Sequence, residues 1–222
     1  RQNNLTNVLY NPTWHKGIIG IVASRVIEKY YRPTVMLTKS GNKWVGSARS
    51  VAGFDLYAAL EACEEHILQW GGHTYAAGLT LLEDKLEDFK EAFEEKVRER
   101  ITPEQKVPTL WIDTELSFWE IDARFIRLMN RMEPFGPQNR RPIFQTQSVK
   151  VLRADILKEA HVRFQLEKDN RSFKAIGFNL AEKLFSLQTP IIDIAYQPTF
   201  NHWNQRVSID LRIKDIKSSH ET

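Results

Sequence analysis

The sequence predicts an α/β domain with a small sheet, followed by a mostly β domain of the OB-barrel type. Helix and strand patterns alternate over the first hundred residues, a polar stretch with two prolines follows, and about five β-rich runs occupy the remainder. We therefore expect a first domain at 1–101, a linker at 102–108, a second domain at 109–217 and a tail at 218–222.

Hydrophobic periodicity and turn chemistry predict the first domain. Ile18, Ile19, Val22 and Val26 recur at helical spacing and indicate a helix with a broad apolar face. Asp55 is a predicted N-cap. The predicted elements are a helix at 17–31, strands at 33–38 and 43–47 joined by a turn at 39–42, a helix at 55–63, a Gly-Gly-His loop, a strand at 78–82, and a helix at 83–100 with the buried stripe Leu86, Phe89, Phe93 and Val97.

Short β-rich runs separated by turn residues predict the second domain. Asn and Asp residues favour turns at 168–170 and 201–204. Five strands with one or two short helices favour an OB-type barrel, and an open β-sandwich is the alternative. The predicted elements are a strand at 109–115, a helix at 121–132, and strands at 144–152, 162–166, 172–178, 191–200 and 206–213.

Composition indicates a folded protein. Hydrophobic residues make up 42% of the chain and charged residues 27%, and no apolar run approaches the length that crosses a bilayer. The first residues lack the apolar core of a signal peptide. The single cysteine, Cys63, excludes an internal disulfide and indicates a reducing compartment, so we expect a cytoplasmic protein with a buried structural thiol.

The charge distribution is compatible with nucleic-acid binding but is not diagnostic of it. The net charge is +3, and acidic residues outnumber basic ones only within 81–100, by eight to five. The rest of the chain is mildly basic.

Two short segments place small residues around one side chain suited to holding an anion. Arg49 has serines on both sides, Ser47 and Ser50, and His73 follows a glycine pair that ends at Gly72. Glycines allow close backbone approach, while a guanidinium and hydroxyls match phosphate oxygens. The segments therefore predict a phosphate site. The alternatives are a local ion pair for Arg49, a capped loop position for His73 and a purely geometric role for Gly72.

Four segments together resemble the C-terminal part of the RecJ exonucleases, single-strand-specific members of the DHH phosphoesterase family. The resemblance extends from Trp14 to Ile216. The Gly-Gly-His signature alone indicates only a DHH-associated domain, and the Pro-Phe-Gly segment with the β-rich runs behind it narrows the resemblance to RecJ. The segments are Trp14-His15-Lys16-Gly17 through Arg25, Gly46-Ser47-Ala48-Arg49-Ser50, Gly71-Gly72-His73 through Gly78, and Glu133-Pro134-Phe135-Gly136 through Phe144.

The resemblance implies a metal-dependent hydrolase that degrades single-stranded DNA from 5′ to 3′ in recombination and repair. It implies that Ser47, Arg49 and His73 contact the terminal or scissile phosphate, with His73 stabilising developing charge. The family holds two divalent ions, manganese or magnesium, in an N-terminal DHH domain. The implied partners are single-stranded DNA, that DHH domain and a single-strand-binding protein.

The sequence departs from the family pattern in two ways. Gln138-Asn139-Arg140 follows Pro137 where the family commonly has Gly-Asn-Pro. There is no Asp-His-His, and the six histidines are scattered without acidic partners at ligand spacing. We therefore expect a fragment that begins in an interdomain segment, holds no complete metal site and does not cleave DNA alone.

The second domain offers candidates for binding single strands, because OB folds stack bases on aromatic residues within a basic groove. Trp203, in the predicted turn, is the exposed aromatic candidate, and a plug at the barrel end is its alternative. Most of the phenylalanines at 164, 173, 178 and 200 are expected in the core, Phe164 and Phe178 because of their apolar neighbours. The basic candidates are Arg153, Arg163, Lys174 and Arg206.

Three points stay open. His15 and Lys16 can meet an anion near a helix N-terminus, although a cap beside a packed Trp14 is the preferred interpretation. The chain can also be a module that binds single-stranded nucleic acid, or a single-strand-binding protein, without chemistry. A small-nucleotide phosphoesterase domain is the third possibility, against which the second domain argues.

Overall fold

A computed structural model of the chain describes residues 4–136, 138–187, 189–204 and 206–219. The chain divides into two compact units, Arg1–Thr109 and Leu110–Thr222. The start of the predicted first domain, Pro137 and the end of the predicted tail lie outside the described residues. No helix in the described ranges is long and apolar enough to cross a bilayer.

The first unit is a five-stranded sheet with helices on both faces. Its elements are β1 (Asn7–Tyr10), α1 (Ile19–Tyr30), β2 (Thr34–Ser40), β3 (Lys43–Arg49), α2 (Leu56–Glu61), β4 (Gln69–His73), β5 (Ala76–Leu82) and α3 (Leu86–Arg100). The strand order is β1-β2-β3-β5-β4, with β1 and β2 parallel and the other pairs antiparallel. β1 and β4 are therefore the two edges of the sheet.

Helices α2 and α3 supply the larger core, on one face of this sheet. Asp55 caps α2 as predicted, since its side chain accepts a hydrogen bond from the Ala58 amide at 3.1 Å. Cys63 is buried in the same core, which confirms its structural role. The stripe predicted for α3 is confirmed at all four buried positions, Leu86, Phe89, Phe93 and Val97.

Helix α1 packs on β2 and β3 through a narrower stripe than predicted. Ile19 and Ala23 are buried against Met36, and Val26 is partly buried beside them. The broad apolar face was a wrong prediction, because Ile18 is 51% exposed and Val22 is also exposed. Two polar side chains of β3, Ser47 and Arg49, lie against the start of this helix at Gly20 and take up part of the face that was expected to be apolar.

The Gly-Gly-His segment is a strand, which corrects the predicted loop. Residues 69–73 form β4 and pair with β5, so that Gly72 lies opposite Ala77 and His73 opposite Ala76. Glycines favour a loop in isolation, but here Gly72 is required by the close approach of β5, whereas Gly71 has open space at its Cβ position.

The second unit is a closed five-stranded barrel with two helices. Its elements are β6 (Thr114–Glu115), α4 (Ala123–Asn130), β7 (Phe144–Leu157), β8 (His161–Lys168), β9 (Arg171–Gly177), α5 (Ala181–Phe185), β10 (Ile191–Trp203) and β11 (Arg206–Ser218). The strands run β10-β11-β9-β8-β7, and β10 also pairs with β7. This closing pair excludes the open sandwich and confirms the OB-type barrel.

Two predicted elements of the second unit differ in extent. The strand predicted at 109–115 is reduced to β6, because only Thr114 and Glu115 pair with the neighbouring strand β7. The turn predicted at 201–204 is mostly strand, because the β10–β11 ladder continues to the pair Trp203 and Arg206.

Candidate functional site

Strand register brings the predicted phosphate residues onto one face of the first sheet. Arg49 and His73 both lie opposite Ala76, so all three belong to one row across β3, β5 and β4. Two strand spacings separate Arg49 from His73, which places their Cα atoms about 10 Å apart. This is the face on which α1 packs.

The neighbouring row contains Ser47 and two glycines, and we call the surface that these glycines leave without side chains the glycine floor. Ser47 lies opposite Gly78, which lies opposite Gly71. Both glycines are exposed, and a Cβ on Gly71 would meet no atom within 4 Å. We call Ser47, Arg49, His73 and these two glycines the phosphate site.

The start of α1 lies directly against the phosphate site. A Cβ on Gly20 would lie 2.8 Å from Arg49 Nη2 and 3.3 Å from Ser47 Oγ. Only glycine at this position lets both side chains lie against the first turn of the helix, where the N–H groups carry partial positive charge. The sequence alone gives no sign of this contact.

Arg49 and His73 each keep donor capacity in this arrangement. Arg49 Nη1 donates to the Ala48 carbonyl at 2.8 Å, and the guanidinium makes no salt bridge with any described residue. The Tyr75 amide donates to His73 Nδ1 at 3.3 Å, so the neutral ring carries its proton on Nε2. The half-buried guanidinium and the exposed imidazole can therefore both donate to an anion.

Ser50 and Gly72 have local structural roles. The Ser50 hydroxyl donates to the Phe54 carbonyl at 2.8 Å and holds the turn before α2. A Cβ on Gly72 would lie 2.3 Å from the Ala76 carbonyl oxygen and 2.5 Å from Ala77 Cα. The structure brings neither residue into the rows of the phosphate site.

The Trp14-His15-Lys16 segment precedes α1. His15 Nδ1 accepts a hydrogen bond from the Gly17 amide at 3.1 Å, and Trp14 packs partly on the α1 core. The Trp14 carbonyl accepts a hydrogen bond from Thr38 at 2.6 Å, which fixes the segment to β2. His15 and Lys16 are exposed.

The described part of the chain holds no group of three or more His, Cys, Asp or Glu side chains able to bind a metal ion. The described residues therefore do not fit the two-metal centre that the resemblance implies. Burial raises the pKa of the Cys63 thiol to about 11, so this side chain stays protonated at neutral pH and is not a nucleophile.

The second unit carries a basic surface on the outside of the barrel. One row across β7, β8, β9 and β11 contains Asp155, Arg163, Ile176 and Arg212. The next row across the same strands contains Arg153, Gln165, Lys174 and Asp210. Asp155 pairs with Arg153 at 2.9 Å and lies 3.8 Å from Arg163. We call Arg153, Arg163, Lys174 and Arg212 the basic face.

The aromatic predictions are partly wrong. Phe164 and Phe173 are buried as expected, but Phe178 is 49% exposed at the end of β9. Trp203 is 73% exposed at the far end of β10, which excludes the plug interpretation, and its cross-strand neighbour Arg206 is exposed. Sequence reasoning missed Phe178 because its apolar neighbours suggested burial.

Comparisons with family models divide the chain into the same two parts. The model described as "DHHA1 domain" matches residues 4–99, and the model described as "RecJ OB domain" matches residues 112–215.

Curated relatives match across both parts. The "Single-stranded-DNA-specific exonuclease RecJ" of Bacillus subtilis (strain 168) is 31% identical over 215 residues, which cover 93% of this chain and 27% of the relative. The protein of the same name from Escherichia coli (strain K12) is 29% identical over 216 residues, with 94% and 37% covered. The chain thus spans about a quarter to two fifths of these relatives.

A solved structure shows the same fold. The crystal structure of RecJ in complex with Mn²⁺ from Thermus thermophilus matches with a TM-score of 0.82 at 25% identity, over 98% of this chain and 32% of that chain. A Mg²⁺ complex from the same organism matches with a TM-score of 0.77.

Proposed function

Because the chain belongs to the RecJ family, with a DHHA1 domain followed by a RecJ OB domain, we propose that it is the substrate-holding part of a single-stranded-DNA-specific exonuclease. The observation that carries the proposal is the phosphate site, in which Ser47, Arg49 and His73 share one face beside two exposed glycines. The parent enzyme works from 5′ to 3′ in recombination and repair, in the cytoplasm.

Each residue of the phosphate site has a distinct role. Arg49 presents the fork of donors that fits two oxygens of one phosphate, and Ser47 adds a hydroxyl donor. His73 donates from Nε2 to the charge that develops on the phosphoryl group. The glycine floor lets the substrate backbone approach the sheet.

Hydrolysis itself belongs to a metal-bearing DHH domain of the parent protein. The described residues hold no metal cluster, and phosphodiester hydrolysis of this class needs a metal-activated water. Manganese or magnesium held by such a domain would activate the water, while the residues of this chain bind and orient the phosphate.

The barrel guides the single strand. Arg153, Arg163 and Lys174 contact successive phosphates on the basic face, and Trp203 with Arg206 extends the contact along the β10–β11 hairpin. The basic face also supports a second function, a binding module for single-stranded DNA without chemistry. A contact with a single-strand-binding protein is a further role for this unit.

Fluorescence anisotropy with the whole chain tests the phosphate site. We expect a 5′-phosphorylated single strand to bind more tightly than the same strand with a 5′ hydroxyl, and Arg49→Ala to weaken binding of the phosphorylated strand about 10- to 100-fold. Arg98→Ala, on α3 at the opposite face, is the matched control and should bind as the unchanged chain. Equal affinity of Arg49→Ala and the unchanged chain would contradict the proposal.

A turnover measurement separates the two candidate functions. In a longer protein that includes a DHH domain, Arg49→Ala should sharply lower single-strand degradation while the fold stays intact. If the longer protein binds single strands but degrades none, the binding-module function replaces the exonuclease.

A further inference from the structure

Phe178 is a large aromatic side chain that the barrel leaves half in solvent. It follows directly on β9, and 49% of its surface is exposed. Phe178 lies two residues after Ile176, on the same outer side of the barrel as the basic face, and next to His161 of β8. A ring in this position costs free energy in water unless something covers it.

The ring is held in place by its neighbours. The His161 ring meets it edge-on, with centroids 5.2 Å apart and planes at 68°. The Asn179 amide in turn donates to His161 Nδ1 at 3.1 Å, which fixes the imidazole. The chain turns sharply here, since Asn179 has a φ of 56°. Phe178 is therefore an ordered, exposed aromatic surface.

Two cationic side chains of β11 lie beside this surface. The Arg212 guanidinium lies over the Phe178 ring, 5.3 Å from its centre, which leaves the other side of the ring as the candidate stacking face, and it makes no salt bridge with any described residue. Lys214 lies two residues further along the same strand, and burial together with the nearby Arg212 charge lowers the pKa of its ammonium group. The carboxylates on this side already have partners, since Asp155 contacts Arg153 and Arg163, and Asp210, two residues before Arg212, accepts hydrogen bonds from Asn201 and Ser208. An anion beside Arg212 would relieve this crowding of cations.

An aromatic face bordered by cations that make no salt bridge with the described residues matches a nucleotide, with its flat base and its phosphate. An apolar protein surface would instead have to bury the Arg212 charge without a partner. We propose that Phe178 is a base-stacking subsite for single-stranded nucleic acid, with Arg212 and Lys214 binding the adjoining phosphate. This inference rests on the proposed binding of a single strand to the barrel.

Replacements of Phe178 in the whole chain test the subsite, with oligothymidylate as the probe in fluorescence anisotropy. Phe178→Ala should weaken binding about 5- to 100-fold, and Phe178→Leu should weaken it nearly as much, because both remove the aromatic face. Phe178→Trp should retain or improve affinity. Phe185→Ala removes another exposed aromatic residue, on α5, and should bind as the unchanged chain.

A probe with abasic positions separates stacking from charge. The unchanged chain should bind the abasic strand more weakly, and Phe178→Ala should lose little further affinity for it. Thermal unfolding checks that each variant is folded. If Phe178→Ala binds oligothymidylate like the unchanged chain while Arg163→Ala is weakened, the subsite is refuted and the proposed function stands. Failure of the unchanged chain to bind any single strand would overturn both.

Discussion

The two adjacent glycines of β4 should respond in opposite ways to one added methyl group. A Cβ at Gly72 would lie 2.3 Å from the Ala76 carbonyl oxygen, and ordinary contact begins near 3.4 Å, so β4 and β5 would have to separate locally by about 1 Å. Overpacking of this kind costs about 1–3 kcal/mol. A loss of about 2 kcal/mol lowers the unfolding midpoint of a unit of this size by about 8–16 °C.

At Gly71 the same methyl group meets no atom within 4 Å. Gly71→Ala should therefore leave stability unchanged or raise it by up to about 1 kcal/mol, because glycine is unfavourable inside a strand. The methyl group would stand on the glycine floor, two residues before His73 and across β5 from Ser47, where it would keep a phosphate from the sheet. We expect binding of a 5′-phosphorylated single strand to weaken about tenfold, which corresponds to about 1.4 kcal/mol.

Thermal unfolding followed by circular dichroism and binding followed by anisotropy would be measured on both variants. Gly41→Ala is a suitable control, because Gly41 has a φ of 64° in the β2–β3 turn and nothing lies near its Cβ position. It should lower stability without changing affinity. The reasoning fails if Gly72→Ala is as stable as the unchanged chain, or if Gly71→Ala binds the phosphorylated strand equally well.

Three further predictions concern single contacts. Gly20→Ala should displace the Arg49 guanidinium, which lies 2.8 Å from the new methyl position, and reduce anisotropy-measured affinity with no loss of thermal stability. Glu94 accepts hydrogen bonds from the Leu5 amide at 2.8 Å and from both the amide and the hydroxyl of Thr6. Glu94→Gln should therefore lower the free energy of unfolding, measured in urea, by about 1–3 kcal/mol. Glu91→Gln, on the exposed side of α3, is the control and should change it by nearly nothing. Burial raises the pKa of Cys63 to about 11, above its unfolded value of about 8.5. The stabilisation from the neutral thiol is therefore complete below pH ~8.5 and is lost as the pH rises toward 11. Alkylation of the native chain at pH ~8 should be negligible, and rapid labelling there would contradict the burial.

Local chemistry explains which parts of the fold the sequence predicts. The α3 stripe and the Asp55 cap depend on spacing within one helix, and the barrel strands depend on short runs between turn residues. Strand β4 was missed because its glycines have no strand preference of their own, and only pairing with β5 makes them a strand.

Exposure is the property that the sequence predicts least well. Ile18 and Phe178 have apolar neighbours in sequence, but whether they are buried depends on which surface another element covers. The same limit applies to the phosphate site. The sequence predicts Arg49 and His73 as anion-binding residues, whereas their common row and the contact between Arg49 and Gly20 come from strand register and helix packing.

The unequal faces of the first sheet explain how an open site can also be rigid. The face under α2 and α3 buries residues such as Ala48, Ala77 and Leu79, which anchor β3 and β5. Apart from Leu82 at the end of β5, the opposite face of β5 and β4 bears glycine, alanine and polar side chains, so leaving it in water costs little free energy. Ser47 and Arg49 alternate with the buried Ala48, and the core therefore fixes their backbone before any substrate arrives. Binding of a phosphate here would therefore cost little conformational entropy in the protein, which favours tight binding on a shallow surface.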